Sequence, residues 1–479
     1  MTIKFGTDGW RAVISETFTF ANLRLVAQAI ADYILEQNEQ NPSIVIGFDT
    51  RFLSDRYAAE VARVMAANRI DTWLARADTP TPAISYAVWH KQATAGVMIT
   101  ASHNPPRYNG VKLKASYGGS ASPAAHKRVE QLLESALAEA RGPNLMDLQE
   151  AIRTDRVKKF DPAWAYYEHL STLVDLDIIS GGELRVVADG MYGAGRGVIG
   201  EVLARGRSHV HNIRHEMNPG FGGIHPEPIA RHLGLLMSTI QAGHWDVGLA
   251  TDGDADRIGA VDALGNFVDP HRIFALVLRY LLENRGWRGK VVRTVSTTRM
   301  IDRIAAHYGL ELVETPVGFN HIADLMIAAG ADNGVVMGGE ESGGMSIKGH
   351  IPEGDGVLLG LLLLEVMAAA RMPLHKLVEE LLSQYGPAQY ARTDMKLARP
   401  VEKKQMVAFL LNVAPGEIAG VAVEDVQTVD GVKYYLSDGS WLLIRPSGTE
   451  PVLRVYAEAP DDGRVKALLN FGEEMAHKA

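Results

Sequence analysis

The sequence predicts an α/β protein with three related α/β domains, their sheets mixed but mainly parallel, and a smaller C-terminal α+β domain. Three observations lead there. At 479 residues the chain is too long for one ordinary core. Three regions repeat one order: apolar strand, helix-period segment, strand, then an apolar strand feeding a polar loop. From about Gly386 the pattern changes to short alternating strands and a final helix. The expected domains are residues 1–155, 156–262, 263–384 and 385–479.

The opening strands of the three units are expected at 43–50, 184–190 and 291–296. In the first unit Tyr57, Val61, Val64 and Met65 lie at i, i+4, i+7 and i+8, one face of a helix, with Ser54 as its expected N-cap. The next strands are 71–75, 210–213 and 310–314. The closing strand-plus-loop segments are 96–104, 246–254 and 334–342. Strands alternating with helices imply parallel sheets covered on both faces. Three such units bring three equivalent strand-end loops towards a common cleft. Gly193-Ala-Gly195 reads as a strand-to-helix turn, not as a nucleotide fingerprint. In the tail, strands are expected around 390–396, 431–436, 441–445 and 453–459.

Composition narrows the chemistry. Apolar residues make up 47% and charged residues 22%, as in soluble globular proteins. No apolar run approaches the ~20 residues needed to span a bilayer, so no membrane partner is expected. The absence of cysteine excludes disulfides, thiolate metal sites and cysteine nucleophiles. A net charge of −9 argues against general nucleic-acid binding, while local Arg and Lys leave a phosphorylated substrate open. With no basic-then-apolar leader, the expected compartment is the cytoplasm.

The closing loops carry the chemistry. In Thr100-Ala-Ser-His-Asn-Pro-Pro106, the prolines force the chain out of the sheet just after Ser102. That hydroxyl is displayed at a strand's carboxyl end, where open α/β sheets bind ligands. Asp252-Gly-Asp254-Ala-Asp256-Arg257 places three carboxylates at alternate positions in a tight turn, able to converge on one hard cation. An EF-hand fails because loop positions six and twelve hold Arg257 and Ala263. A haloacid-type Asp nucleophile and a plain solvated turn remain rival readings. Octahedral oxygen coordination shared with a phosphate suits Mg²⁺. A phosphoserine of about −2 beside three Asp and one Mg²⁺ leaves roughly −3, so cations are needed nearby. Arg257, Lys112 and Arg11 are the candidates. Gly339-Glu340-Glu341-Ser342-Gly343 offers neighbouring groups suited to paired sugar hydroxyls. Arg445-Pro-Ser447-Gly448-Thr449 joins a guanidinium, hydroxyls and loop N–H groups, which is phosphate-binding chemistry.

Taken in order, Phe5-Gly-Thr-Asp-Gly-Trp-Arg11, Gly47-Phe-Asp-Thr-Arg51, Thr100-Ala-Ser-His-Asn-Pro105, Asp252-Gly-Asp-Ala-Asp-Arg257, Gly339-Glu-Glu-Ser-Gly343 and Arg445-Pro-Ser-Gly-Thr449 resemble the α-D-phosphohexomutase family across essentially the whole chain. The resemblance implies four domains around a deep cleft, the last one mobile. It implies Ser102 as phosphoryl carrier and metal ligand, and Asp252, Asp254 and Asp256 as Mg²⁺ ligands. Glu340 and Ser342 would bind sugar hydroxyls; Arg445, Ser447, Gly448 and Thr449 would bind the phosphate not in transfer. Arg11, His103, Lys112 and Arg257 would assist transfer, with the proton carrier among them left open.

The implied reaction interconverts hexose 1-phosphate and hexose 6-phosphate through phosphoserine and a hexose 1,6-bisphosphate, which serves as intermediate and activator. Glucose is the first expectation, with mannose also considered. The alternatives are a phosphoglucosamine mutase, a hexose 1,6-bisphosphate synthase and a non-catalytic phosphosugar sensor. Tyr108-Asn-Gly110 and Glu340-Glu-Ser-Gly-Gly344 look more like hexose members than glucosamine members. Asn320 stands where related sequences often carry Lys, a departure expected to weaken the grip on phosphate, shift substrate preference or ease escape of the bisphosphate.

Overall fold

The computed structural model describes residues 3–6, 8–329, 334–396, 402–446 and 452–478. Among them the strands form four sheets. The first contains β1 (Trp10–Val13), β2 (Ser43–Phe48), β3 (Asp71–Ala75), β4 (Ala95–Ile99), β5 (Tyr108–Ala115), β6 (Gly119–Ser120) and β7 (Val157–Phe160), in the order β1-β5-β4-β2-β3-β7 with β6 on β5. The second holds β8 (Arg185–Asp189), β9 (His209–Ile213), β10 (Val247–Thr251), β11 (Ile258–Asp262) and β12 (Phe267–Val268), ordered β12-β11-β10-β8-β9. The third is β14-β13-β15-β16, built from β13 (Lys290–Thr294), β14 (Leu312–Thr315), β15 (Val335–Gly339) and β16 (Met345–Ile347).

One motif recurs in all three. Parallel strands β3-β2-β4, β9-β8-β10 and β14-β13-β15 are each followed by an antiparallel partner, β5, β11 or β16. The turn from the last parallel strand into its antiparallel neighbour is therefore equivalent in each unit. Those turns are the serine loop, the acidic loop and the Glu340–Gly344 loop.

The fourth sheet is antiparallel: β17 (Gln389–Lys396), β18 (Glu417–Ile418), β19 (Val421–Gln427), β20 (Val432–Leu436), β21 (Trp441–Pro446) and β22 (Val452–Ala459) run in the order β17-β22-β21-β20-β19-β18. Helix Asp462–Lys478 packs on it. The alternation read in the tail is thus a real sheet with its own core around Leu442, Ile444 and Val455.

Two expected joints move. Val157–Phe160 pairs with β3, so the first unit runs past residue 155. Phe267–Val268 pairs with β11, so the second runs past 262. Both are short edge strands with too few residues to show a period. Ser54 is not an N-cap either. Leu53 holds that position at φ 62°, and the Ser54 hydroxyl donates to Asp49 Oδ1 at 2.9 Å. The periodic face itself is correct: Tyr57, Val61, Val64 and Met65 are all buried.

Helix Gly356–Ala370 is apolar nearly all round and buried in the core, as such helices must be. Its lone charge, Glu365, is matched by both Arg285 bonds at 2.7 Å and by the Tyr280 hydroxyl at 2.7 Å. No single helix among the described residues is long and apolar enough to cross a membrane.

Candidate active site

Ser102 sits just beyond β4 with φ 50°, a left-handed backbone that a non-glycine residue holds only when its surroundings impose it. Arg51 imposes it. This fully buried guanidinium donates to the carbonyls of Ser102 (2.5 Å), Asn104 (2.7 Å), Pro105 (2.9 Å) and Tyr108 (3.1 Å), gathering the loop around itself. Its own partner is Asp49 at 3.1 Å. Burial pushes the Asp49 carboxyl up to about 6 against the pull of Arg51 and the Thr100 hydroxyl. Thr100 Oγ1 donates to Asp49 and accepts from Ser102 N–H at 2.8 Å, which closes the loop.

The acidic loop meets the serine loop directly. A side chain at Gly253 would put a Cβ 2.4 Å from the Ser102 carbonyl, so only glycine permits this approach. Behind it, a Cβ at Gly193 would fall 2.7 Å from the Gly253 carbonyl. The Gly193-Ala-Gly195 turn therefore packs on the acidic loop.

The Ser102 hydroxyl donates to Asp252 Oδ2 at 2.9 Å and lies 3.3 Å from His103 Nδ1. Asp252, Asp254 and Asp256 offer oxygens all within 4.8 Å of one another. Lys112 Nζ reaches Asp254 at 2.9 Å, Asp256 at 2.7 Å and Asp8 at 2.9 Å. Burial, then Asp256 and Asp254, raise Asp252 well above the usual carboxylate range. Asp254 is held low: burial opposes this, and Lys112 and the Thr81 hydroxyl outweigh it. Asp254 Oδ1 and Asp256 Oδ1 are buried with no hydrogen-bond partner. Arg257 Nε stands 3.8 Å from Asp256 Oδ1, and clustered buried carboxylate oxygens without hydrogen bonds fit a hard divalent cation.

Around His103 the field is strongly positive. Burial first, then the charges of Arg257, Arg11, Arg454 and Arg392, hold the imidazole well below its ordinary pKa and hence neutral. Arg11 comes from β1, Arg257 follows the acidic loop, and Arg392 and Arg454 stand on β17 and β22. Arg11 also donates to Asn104 Oδ1 at 2.7 Å. Guanidinium groups from the first, second and fourth units thus act on one imidazole, an arrangement that suits an anion of high charge.

The Glu340–Gly344 loop closes the other side. Glu340 Oε1 accepts from Gly318 N–H at 2.9 Å, and Ser342 Oγ lies 3.4 Å from Glu340 Oε2. Burial and the neighbouring Glu341 push Glu340 up to about 7, against Arg257. Glu341 accepts from Ser296 Oγ at 2.5 Å. A Cβ at Gly343 would lie 2.7 Å from the Ile258 carbonyl, so this loop also abuts the second unit, nearly as closely as the acidic loop abuts the first. Asn320 is buried in the first turn of helix Phe319–Ala329, beside Gly318. On the fourth sheet, Arg445 Nε is paired with Asp430 at 2.5 Å. Ser447, Gly448 and Thr449 lie outside the described residues.

Models of the phosphoglucomutase/phosphomannomutase domains match in order: domain I over residues 2–139, domain II over 164–265, domain III over 269–385 and the C-terminal domain over 401–471. A Methanopyrus kandleri protein named a probable phosphoglucosamine mutase is 32% identical over 464 residues, covering 97% of this chain and 95% of that protein. The chain belongs to the phosphoglucomutase/phosphomannomutase family. As an α-D-phosphohexomutase it is an enzyme, an intramolecular phosphotransferase. A Thermococcus kodakarensis phosphoglucomutase/phosphomannomutase is 30% identical, covering 99% of this chain and 98% of its own. A Thermus thermophilus crystal structure, provisionally named a phosphomannomutase, superposes with TM-score 0.87 at 33% identity, covering 100% of this chain and 99% of that one.

Several residues that the structure brings to this candidate site escape sequence reading. Asp8, Asp49 and Arg51 lie inside quoted motifs but show their roles only in three dimensions. Thr81, Arg392 and Arg454 carry no local signal beyond a Thr-Pro helix start and two alternating strands.

Proposed function

We propose that this chain interconverts hexose 1-phosphate and hexose 6-phosphate, glucose first and mannose second, with Ser102 carrying the phosphoryl group. The observation that carries this reading is the Ser102 hydroxyl, 2.9 Å from the carboxylate cluster and beside four guanidinium charges acting on His103. A sugar hydroxyl attacks phosphoserine. The new O–P bond forms as the bond to Ser102 Oγ breaks, and the hydroxyl proton leaves to His103, whose basicity rises once bound phosphate neutralises the surrounding arginines. The resulting hexose 1,6-bisphosphate turns end for end, and Ser102 recovers a phosphoryl group from the other end while the proton returns.

Phosphoryl transfer is mostly a matter of positioning and charge. Arg51 fixes the serine loop, Arg11 and Arg257 face the transferring group, and Glu340 with Ser342 orients sugar hydroxyls. Arg445, with Ser447, Gly448 and Thr449, retains the other phosphate. Asp252, Asp254, Asp256 and the serine phosphate would hold Mg²⁺, which supplies neutralisation of charge on the transferring oxygens.

Phosphoglucosamine is the second reading, favoured by the name of the Methanopyrus relative. One assay separates them: glucose 1-phosphate, mannose 1-phosphate and glucosamine 1-phosphate, each with Mg²⁺ and with or without added bisphosphate. Turnover of a hexose phosphate is expected. Preference for glucosamine phosphate selects the second reading, and release of bisphosphate as the main product selects a synthase. No turnover of any of the three ends the mutase proposal.

A further inference from the structure

Helix Thr81–His90 belongs to the first unit, yet its first residue is bonded to the acidic loop of the second. Thr81 is fully buried. Its N–H, one of the donors that a helix N-terminus leaves without an intrahelical partner, donates to the Asp254 carbonyl at 2.8 Å. Its hydroxyl donates to Asp254 Oδ2 at 2.6 Å. Lys112 approaches that same oxygen at 2.9 Å. Two donors therefore occupy Oδ2, which has two lone pairs to give. The other oxygen, Oδ1, is buried and has no hydrogen-bond partner.

We propose that Thr81 is a positioning residue for Asp254: its hydroxyl fixes the carboxylate rotation that reserves Oδ1 for a divalent cation. The inference rests on the reading of Asp252, Asp254 and Asp256 as cation ligands. A partner of this kind orients a ligand and tunes its charge without touching the metal. Thr81 also ties cation binding to the seating of the first unit on the second, because both of its bonds cross that boundary. Val at this position preserves the β-branched shape and removes only the donor. Ser keeps the donor and removes only a methyl group.

The test titrates Mg²⁺ calorimetrically into full-length wild type, Thr81→Ser, Thr81→Val and Thr81→Ala, with melting in EDTA as the folding control. Loss of the hydroxyl is expected to weaken Mg²⁺ binding by about 10–100-fold in both Val and Ala variants. Thr81→Ser should bind close to wild type, and KM for the sugar phosphate at saturating Mg²⁺ should stay unchanged. Wild-type affinity in Thr81→Val or Thr81→Ala overturns the proposal, as does a Ser variant as weak as Val. If one of the Val and Ala variants does not fold, the other decides; if neither folds, the Ser variant decides alone. Absence of any Mg²⁺ binding by wild type would instead sink the reading of the acidic loop itself, a distinguishable failure.

Discussion

The contact between the serine and acidic loops and the seam between the third and fourth sheets are both built from buried charge, but they leave it in different states. At the first, Arg51 and Asp49 satisfy the loop backbone, while Asp254 Oδ1 and Asp256 Oδ1 have no hydrogen-bond partner. At the second, most of the charge is neutralised within the protein. Arg293 pairs with Asp302 and Glu314, and Asp430 is held by Arg445 and Lys403 while accepting from Val317 N–H at 3.1 Å. Lys433 crosses the seam to the Val295 carbonyl at 2.6 Å and lies over the Trp441 ring at 4.3 Å. A buried polar group without a partner is costly, so its persistence at the first contact points to a ligand. The second contact keeps its own orphans, Glu458 Oε2 and the Tyr390 and Tyr456 hydroxyls among them, but they are single atoms and not a cluster of carboxylate oxygens.

The most severe way to break this comparison is at Ser102. Ser102→Ala is expected to lower turnover on the order of 10⁴-fold or more, because it removes the atom proposed to carry the phosphoryl group. The fold should be kept, since the loop is held by Arg51 through backbone carbonyls and not through the serine hydroxyl. Phosphoprotein mass spectrometry and a coupled assay check it. Retained turnover would mean that the carrier is another group.

At the seam the expected effect is on stability. Burial, then the nearby Arg293 charge, lower Lys433 from 10.5 to about 7, against Glu314. Between pH 7 and 10.5 the unfolded chain then holds a proton that the folded chain does not, so this lysine makes stability rise with pH across that window. Below pH 7 the folded protein bears the full cost of the buried ammonium. Lys433→Met should therefore gain most over wild type near pH 6, on the order of a few kcal/mol, and the gain should shrink towards pH 10. Urea unfolding at the two pH values checks it. A difference that does not change with pH would show that Lys433 stays charged throughout.

How much of this was legible in the sequence follows from distance along the chain. Ser102, the three aspartates and Glu340–Ser342 each sit on a short turn after an apolar strand, so local pattern alone marks them. The equivalence of their three loops was also visible, because strand and helix periods repeat. Thr81 was hidden because its partner Asp254 is 173 residues away, and no local pattern encodes that contact. Arg392 and Arg454 were hidden for another reason. They lie on β17 and β22, where Asp394 faces Arg454 and Arg445 faces it from the other side, and alternation places a charge on a face without saying what that face looks at. Ser54 misled because its hydroxyl donates to Asp49 and accepts from Asn109 Nδ2 at 2.9 Å, and so does not cap the helix amides.

The smallest expected effect sharpens the comparison at the Glu340–Gly344 loop, where a charge is neither unpaired nor neutralised. Glu340, at about 7, is half ionised near neutrality. In its proposed role the carboxylate would accept charge-assisted hydrogen bonds from sugar hydroxyls, stronger than neutral ones by about 1 kcal/mol. As an acid below pH 7 it resembles the amide of Gln. Glu340→Gln should therefore cost about fivefold to tenfold in kcat/KM at pH 8.5, by that difference, and distinctly less at pH 6. Wild-type and variant profiles would converge on the acid side and part on the alkaline side. Parallel profiles would show that Glu340 holds one protonation state across the range, and that its contact with Gly318 N–H, not the sugar, is what the side chain serves.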